Sequence, residues 1–226
     1  MKNENIKKFW VLVSLLIGPL IFYLLILTGK NDFRRLPILK NNIIDVKTLE
    51  PNQNVSFKDH ITIVCFFGEN LLLHKTNALN LNEKIYKHFN GFKKFQFVVV
   101  LPNGTEQKAD ELKKDLSFNT DIKNWHFIHT SKDKIDLLFK SFGTDLKLDK
   151  NSYMPQAFII DKTASLRGRN QDKDFKNGML YGYNAETVSE IHQKMIDDVK
   201  ILLAEYRLAL KKNKKKEVFK NPYKTK

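Results

Sequence analysis

The feature that most constrains the fold of this chain is a repeated alternation between short apolar runs and segments with helical periodicity. Residues 61–67 (ITIVCFF) form a nearly continuous apolar run, which is typical of a strand buried on both faces of a sheet. Residues 78–89 carry apolar side chains at the spacing of one helix face, and residues 95–101 (FQFVVVL) form a second apolar strand. This order predicts βαβ units and a mostly parallel central sheet.

The remaining segments extend the α/β pattern. Residues 109–116 and 135–142 have helical apolar spacing and flank a third strand at Trp125–His129. Ala157–Ile160 and Ala164–Arg167 lie on either side of a short turn, which predicts an antiparallel hairpin. We therefore expect a central mixed sheet flanked by helices.

Two further elements are predicted at the ends of this pattern. A long last helix is expected from about Ala185, with Asn184 as its N-cap. On the N-terminal side, Ile43–Val46 has the composition of one short strand.

The N-terminal segment differs in character from the rest of the chain. Residues 9–28 contain no charged side chain, and about 20 helical residues at 1.5 Å each cross the roughly 30 Å hydrocarbon layer of a bilayer. We predict one retained transmembrane helix in contact with the lipid bilayer. A cleaved signal peptide is the alternative, although the run is longer than a signal-peptide core and no small-residue cleavage site follows it. Basic residues flank both sides, so charge leaves the topology open.

These observations divide the chain into five parts. We expect an N-terminal flank (1–8), a transmembrane anchor (9–28), a juxtamembrane linker (29–55), a soluble domain (56–210) and a basic tail (211–226). The tail holds eight lysines and one glutamate, half of the net charge of +14. It is either a tether to anionic lipid headgroups or an acidic partner, or an ordinary solvated tail. No nucleic-acid motif accompanies the charge, so we expect no nucleic-acid partner.

Four segments carry a pattern of order and spacing: Phe66–Gly68, Phe95–Val100, Trp125–Thr130, and Phe158–Asp161 with Leu166–Gly168. Together they resemble the Sco/SenC family, whose members are membrane-anchored, thioredoxin-like copper proteins that help to assemble cytochrome oxidase. The resemblance implies a thioredoxin-like fold with an extra central unit. It also implies a bacterial inner-membrane location, with the domain on the periplasmic side.

The family's copper ligands are absent from the matching positions. The family binds copper through two cysteines that follow the position of Gly68 and through a histidine before the last-but-one strand. The cysteine positions fall near Leu72 and Thr76, and the histidine position falls near Tyr153 or Met154. Because Cu(I) selects thiolate and imidazole ligands, we expect no cofactor and no enzymatic activity, with copper implied by the resemblance alone.

A substitute metal or redox site is the alternative to this view. The single cysteine, Cys65, lies within a predicted strand, where it is expected to be a buried small hydrophobe. His74 and Met154 fall close to the lost ligand positions and are weaker metal candidates on either side of a predicted groove.

That groove is expected to include Leu72, Thr76 and the Met154–Pro155 bond. Pro155 resembles the cis proline of periplasmic thioredoxin-like proteins, and an ordinary proline at the start of a strand is the alternative. Gly68, Pro155 and Asp161 are the residues expected to shape the fold around the groove. A basic loop at Leu166–Asn170, extended by Lys173 and Lys176, is either an acidic-partner site or an ordinary solvated loop.

Three functional hypotheses follow. The first is a non-catalytic, membrane-anchored binding or assembly factor for an oxidase-assembly protein. The second is a metal-binding or thiol-redox protein that uses Cys65, His74 and Met154 in an unfamiliar arrangement. The third is a generic membrane-anchored scaffold.

Overall fold

The computed structural model describes the backbone of residues 2–28, 35–175 and 177–220, and it divides the chain into two compact units, Met1–Arg34 and Arg35–Lys226. The first unit is a single helix, α1 (Lys2–Thr28), which stays continuous through Pro19. Within it, Ile6–Ile26 has a mean hydropathy of 2.5. The predicted N-terminal apolar helix is therefore confirmed, and its length and composition fit a membrane span, criteria that a signal sequence also meets.

The second unit contains seven strands and seven helices among the described residues. The strands are β1 (Ile38–Lys40), β2 (Ile61–Phe67), β3 (Phe95–Pro102), β4 (Trp125–Thr130), β5 (Tyr153–Ile160), β6 (Leu166–Arg167) and β7 (Tyr183–Asn184). The helices are α2 (Val46–Leu49), α3 (Lys75–Leu81), α4 (Lys87–Phe89), α5 (Glu106–Ser117), α6 (Lys132–Ser141), α7 (Val188–Glu190) and α8 (Ile196–Lys220). Single π-helical turns, at Asn82–Tyr86 and Ile191–Met195, join α3 to α4 and α7 to α8.

The sheet is mixed, with the strand order β1-β6-β5-β2-β3-β4 and β7 paired to β5. Strands β2, β3 and β4 are parallel, and β5 and β6 continue the sheet as an antiparallel hairpin. The helices α3–α4 and α5 connect the parallel strands. This is the predicted thioredoxin-like fold with an additional central βα unit, and the prediction is confirmed.

Two apolar clusters cover the two faces of the sheet, because successive side chains of a strand point to opposite faces. On one face, Cys65 and Phe67 of β2 pack with α3, α5 and α8. On the other face, Val64 and Phe66 pack with α6 and with the segment that precedes β2. Strand β2 is buried along its whole length, so its end marks where the chain leaves the core.

Several predicted boundaries are wrong. The short strand is Ile38–Lys40 rather than Ile43–Val46, because Ile43 and Val46 are buried side chains of a loop and of α2. Residues 35–55 of the predicted linker accordingly belong to the folded domain. The last helix begins after Thr187, because Asn184 is in β7 and its side-chain oxygen accepts a hydrogen bond from the Glu186 backbone. Residues 29–34 and 221–226 lie outside the described residues.

Candidate functional site

The chain leaves β2 through a tight turn at Gly68. Its φ of +64° is in the left-handed region that favours glycine, and a Cβ atom there would lie 2.6 Å from the Asn151 carbonyl oxygen. The Glu69 backbone N–H donates to the same oxygen at 3.0 Å. The exit of β2 is therefore held against the loop that precedes β5.

That loop is fixed by Asp149. One of its carboxylate oxygens accepts hydrogen bonds from the backbone N–H groups of Asn151 at 2.8 Å and of Tyr153 at 2.7 Å. Ser152 adopts a positive φ of 62° within the same turn. The position of Tyr153 is thus determined by its own backbone as well as by its side chain.

Tyr153 is one of the two positions, with Met154, at which the sequence resemblance predicts the family's histidine ligand. Its ring stacks on the His74 ring, with centroids 3.5 Å apart and planes 10° from parallel. Its hydroxyl accepts a hydrogen bond from the buried Asn77 amide at 2.9 Å and donates one to the Glu186 carboxylate at 2.7 Å. We call Gly68, His74, Asn77, Tyr153 and Glu186 the β2-exit site.

The electrostatics of the β2-exit site keep the phenol protonated. Burial raises the pKa of the Tyr153 hydroxyl well above its ordinary value, and the hydrogen bond to the Glu186 carboxylate raises it further. Because its hydroxyl hydrogen and a lone pair are both engaged, Tyr153 has a structural role in this geometry. Sequence reasoning missed Asn77 and Glu186 because nothing in a linear pattern links them to position 153.

Leu72 and Thr76, where the sequence resemblance predicts the family's two cysteines, lie on the segment that follows Gly68. Leu72 is half-buried in the turn before α3 and packs against the apolar cluster that contains Cys65, whereas Thr76 is exposed in α3. Leu72 also lines a groove of about 350 Å³ with Lys75 and residues of α5, among them Glu111. The wall opposite Leu72 in this groove is α5, and Pro155 is not among its lining residues.

Met154 does not face His74. Tyr153 and Met154 are consecutive strand residues and so point to opposite faces of the sheet. Met154 is buried in the cluster with Phe66 and Phe158, whereas His74 stacks on Tyr153. The hypothesis of a substitute site with His74 and Met154 on two sides of one groove is therefore wrong.

Cys65 is buried on the same face as Leu71, within the apolar cluster, which confirms its interpretation as a buried small hydrophobe. Burial raises the pKa of the Cys65 thiol far above its ordinary value, so the nucleophilic thiolate is disfavoured. Among the described residues, no three or more His, Cys, Asp or Glu side chains are grouped so that they could hold a metal ion.

Pro155 lies in a bulge of β5 and not at a cis bond. Phe66 pairs with Met154 and Val64 pairs with Phe158, so β5 has two extra residues in this interval. A proline fits there because it has no N–H to donate to the ladder. Within the described part of the chain no peptide bond is cis, so the cis prediction for Met154–Pro155 is wrong.

Asp161 lies at the other end of the hairpin and organises its turn. One carboxylate oxygen accepts hydrogen bonds from Thr163 and Ser165, and the other accepts one from the Arg167 guanidinium at 2.7 Å. Burial opposes ionisation, but these donors together hold the pKa of Asp161 below its ordinary value. Arg167 also donates to the Leu36 carbonyl and to Glu205 of α8.

The basic loop after β6 is likewise satisfied internally. Arg169 donates to Asp198 of α8 at 2.7 Å, and the buried Tyr183 hydroxyl donates to the same carboxylate at 2.6 Å. Arg167 and Arg169 both pair with carboxylates of the domain. Neither arginine is therefore free to bind an acidic partner, and the hypothesis of such a partner for this loop is not supported. Lys176 lies outside the described residues.

No protein-family model matches the chain, and no curated protein matches it. Solved structures do match. BsSco, a member of the Sco family of cytochrome c oxidase assembly proteins, is 14% identical with a TM-score of 0.49, over 73% of this chain and 95% of that chain. The soluble domain of Sco1 from Bacillus subtilis is 14% identical with a TM-score of 0.43, over 76% of this chain and 97% of that chain.

A thiol:disulfide interchange protein from Bacteroides sp. is 17% identical with a TM-score of 0.39, over 71% of this chain and 91% of that chain. The structures that this chain resembles therefore include Sco proteins and thioredoxin-like thiol–disulfide proteins. The fold assignment itself rests on the strand order of the sheet.

Proposed function

We propose that this chain is a membrane-anchored, non-catalytic protein with a Sco-like thioredoxin fold, and that it binds another protein during cytochrome oxidase assembly. The observation that carries the proposal is the set of residues at the β2-exit site and on the turn that follows it. Where Sco/SenC proteins offer two cysteines and a histidine, this chain has Leu72, Thr76 and a Tyr153 whose hydroxyl is already hydrogen-bonded on both sides. The link to the oxidase rests on the sequence resemblance.

The chemistry of the site supports binding rather than catalysis. A thiol–disulfide reaction needs an accessible thiolate, and Cys65 is buried inside β2 with its pKa raised. A scaffold that has lost its reactive groups still retains its shape, and shape suffices for binding a partner.

The surface at the β2 exit offers a contact for such a partner. Leu73 is 79% exposed, on the turn that Gly68 and the Asn151 carbonyl hold in place. A large apolar side chain on a fixed turn loses little conformational freedom when it is buried by a partner. We propose that Leu73 and its half-buried neighbour Leu72 form the centre of the interface.

The proposed location is the inner membrane of a bacterium, with α1 as a single-pass anchor and the domain in the periplasm. A reporter fused after Lys226 should then behave as exported, and the full chain should remain in the membrane fraction after a high-salt wash. Salt screens the attraction of basic residues to a membrane but does not extract an inserted helix. Cytoplasmic activity of the fusion would contradict the topology, and a shortened soluble product would contradict the anchor.

A copper titration tests the loss of chemistry. The unmodified chain should bind Cu(I) no more tightly than its Cys65→Ser variant. Replacing Leu72→Cys, Thr76→Cys and Tyr153→His together should create a tight Cu(I) site, because thiolate and imidazole ligands would then meet at the β2 exit.

The structure supplies a matched control for that experiment. The same two cysteines combined with Met154→His should bind Cu(I) more weakly, because position 154 points into the opposite core. Equal affinity of the two triple variants would contradict the assignment of the site. Tight Cu(I) binding by the unmodified chain would contradict the binding-protein proposal.

Site-specific photo-crosslinking tests the binding surface. A photoreactive residue at Leu73, in native membranes, should capture an oxidase-assembly protein that mass spectrometry identifies. Phe118 is the matched control, because it is 84% exposed at the end of α5, away from the β2 exit. Capture of the same protein from both positions would contradict the interface, and a partner unrelated to oxidases would favour the generic scaffold.

A further inference from the structure

A second groove, of about 360 Å³, lies at the opposite end of β2 from the β2-exit site. Its apolar floor is formed by Ile61 at the start of β2, by Phe92 and by two residues of α8, Leu203 and Tyr206. Four cationic residues line it: Lys93, Lys94, Lys162 and Arg207. We call these eight residues the basic groove.

The cations of the basic groove have no acidic partners among the described residues. Salt bridges elsewhere in the domain pair most of the buried carboxylates, and Asp161 and Glu205, which lie beside the groove in sequence, are both bound to Arg167. Asp59 contacts this side of the groove through its backbone N–H, which donates to the Lys162 carbonyl. The groove therefore carries uncompensated positive charge.

One of these cations is already positioned over the apolar floor. The Lys162 ammonium lies 4.7 Å from the centre of the Tyr206 ring, and the Lys162 backbone N–H donates to the Tyr206 hydroxyl at 3.3 Å. Lys93, Lys94 and Arg207 are exposed at the rim. Unpaired cations around an apolar floor are complementary to a ligand that has an anionic head and an apolar body.

The course of the chain indicates which ligand with an anionic head and an apolar body would bind in the groove. The Leu36 backbone N–H donates to Glu205 at 2.9 Å, so the chain enters the domain beside the α8 residues of the basic groove. Seven residues of sequence, 29–35, join α1 to Leu36. Beyond Arg207, residues 211–220 add six lysines and one glutamate.

From these observations we propose that the basic groove binds the headgroup of an anionic phospholipid and thereby docks the domain on an anionic membrane surface. The inference goes beyond the proposed partner interface and rests only on the anchoring part of the proposed function. An acidic protein segment would also be attracted by the charge of the groove. The groove, however, lies beside the point where the chain enters the domain from the predicted membrane anchor, and this position favours a lipid.

The test uses the full chain in lipid nanodiscs of phosphatidylcholine alone or of phosphatidylcholine mixed with phosphatidylglycerol. An environment-sensitive fluorophore is attached at Gly91→Cys in a Cys65→Ser background, since a Cβ at Gly91 meets nothing within 4 Å. Its emission should shift to the blue only in the anionic discs. The same fluorophore at Thr76→Cys, which is exposed in α3 at the β2-exit end of the domain, should not respond.

Charge-matched variants then assign the effect to the groove. Lys93→Gln, Lys94→Gln and Arg207→Gln together should lower the equilibrium constant for docking on the order of 100-fold, from about five-fold for each charge near an anionic surface. Lys140→Gln, Lys147→Gln and Lys150→Gln remove the same charge from exposed positions outside the groove and should leave the shift unchanged. A chain that ends at residue 210 should also keep the shift.

Several results would overturn the proposal. These are a shift in neutral discs, a shift that survives the groove variant, or a shift lost when only residues 211–226 are removed. A response to poly-glutamate in neutral discs, without a response to anionic lipid, would assign the groove to an acidic protein segment. If the chain does not co-elute with neutral discs at high salt, the anchor is contradicted and the basic groove is not. Co-elution with anionic discs at low salt then tests whether the groove binds anionic lipid.

Discussion

The two ends of β2 treat polar side chains in opposite ways. At the β2-exit site, Tyr153, Asn77 and Glu186 satisfy one another, and the His74 ring is covered by stacking. At the basic groove, exposed cations such as Lys93 and Arg207 have no described partner. Groups that are satisfied within the fold contribute to its stability, whereas unpaired groups are free to bind. The comparison therefore predicts that substitutions at the two ends will affect different properties.

The largest effect is expected just beneath the basic groove, at the cation that is paired. Arg167→Leu removes the partner of the buried Asp161 and should lower the free energy of unfolding by about 3–5 kcal/mol, the usual cost of leaving one buried charge unpaired. Urea unfolding of the full chain in detergent measures it. Arg207→Leu is the control, because an exposed cation without a partner should change stability by no more than about 0.5 kcal/mol.

The same ion pair predicts a pH dependence. The pKa of Asp161 is lowered in the folded state, so its contribution is present above the ordinary aspartate pKa and is lost as the pH falls below that value. An Asp161→Asn variant should therefore lose less stability on acidification than the unmodified chain. Parallel acid-unfolding curves of the two proteins would show that Asp161 is not involved.

The next effect concerns the turn that shapes the β2-exit site. Gly68→Ala should destabilise the domain by about 2–3 kcal/mol, because the residue has a positive φ and the added Cβ would lie 2.6 Å from the Asn151 oxygen. Gly91→Ala is the control, because Gly91 has a negative φ and a Cβ atom there would meet nothing within 4 Å. If both variants unfold at the same urea concentration, the turn at Gly68 is not constrained as described.

A smaller effect is expected from the phenol alone. Tyr153→Phe keeps the stack on His74 but leaves the buried Asn77 amide without its acceptor, which should cost about 1–3 kcal/mol. Asn77→Ala and the double variant complete a thermodynamic cycle with it. A coupling energy near zero would show that the hydrogen bond does not stabilise the site and would remove half of the contrast between the two ends of β2.

The sequence predicted the fold better than it predicted the sites at the two ends of β2. The reason is that the signals for strands and helices lie within short segments of the sequence. Apolar runs such as residues 61–67 and 95–101 report burial directly, so the order of strands and helices followed from them. The face to which Met154 points depends on strand alternation beside the bulge in β5, which no local pattern reveals. The same limit explains the wrong cis prediction for Pro155.

The contents of the two sites could not be predicted for a related reason. Asn77, Tyr153 and Glu186 come from three separate segments and meet only because the sheet brings the segments together. The cations of the basic groove likewise come from three segments, the loop before β3, the turn after β5 and α8. Only the basic tail was recognisable in the sequence, as a run of lysines. Such a run does not predict which apolar side chains and cations come together in a groove.

The smallest effect on stability is expected where the effect on binding is expected to be largest. Replacing Lys93, Lys94 and Arg207 by glutamine should change the free energy of unfolding by about 0.5 kcal/mol or less, because these exposed side chains make no ion pair with a described residue. The change should be stabilising in sign at low salt, since it relieves repulsion between neighbouring cations, and it should vanish at high salt, where that repulsion is screened. Urea unfolding in neutral detergent at two salt concentrations measures it, with the Lys140, Lys147 and Lys150 variant as the reference for loss of three charges. A clear loss of stability would show that the groove cations are held by the fold, and the two ends of β2 would then not differ in the way described.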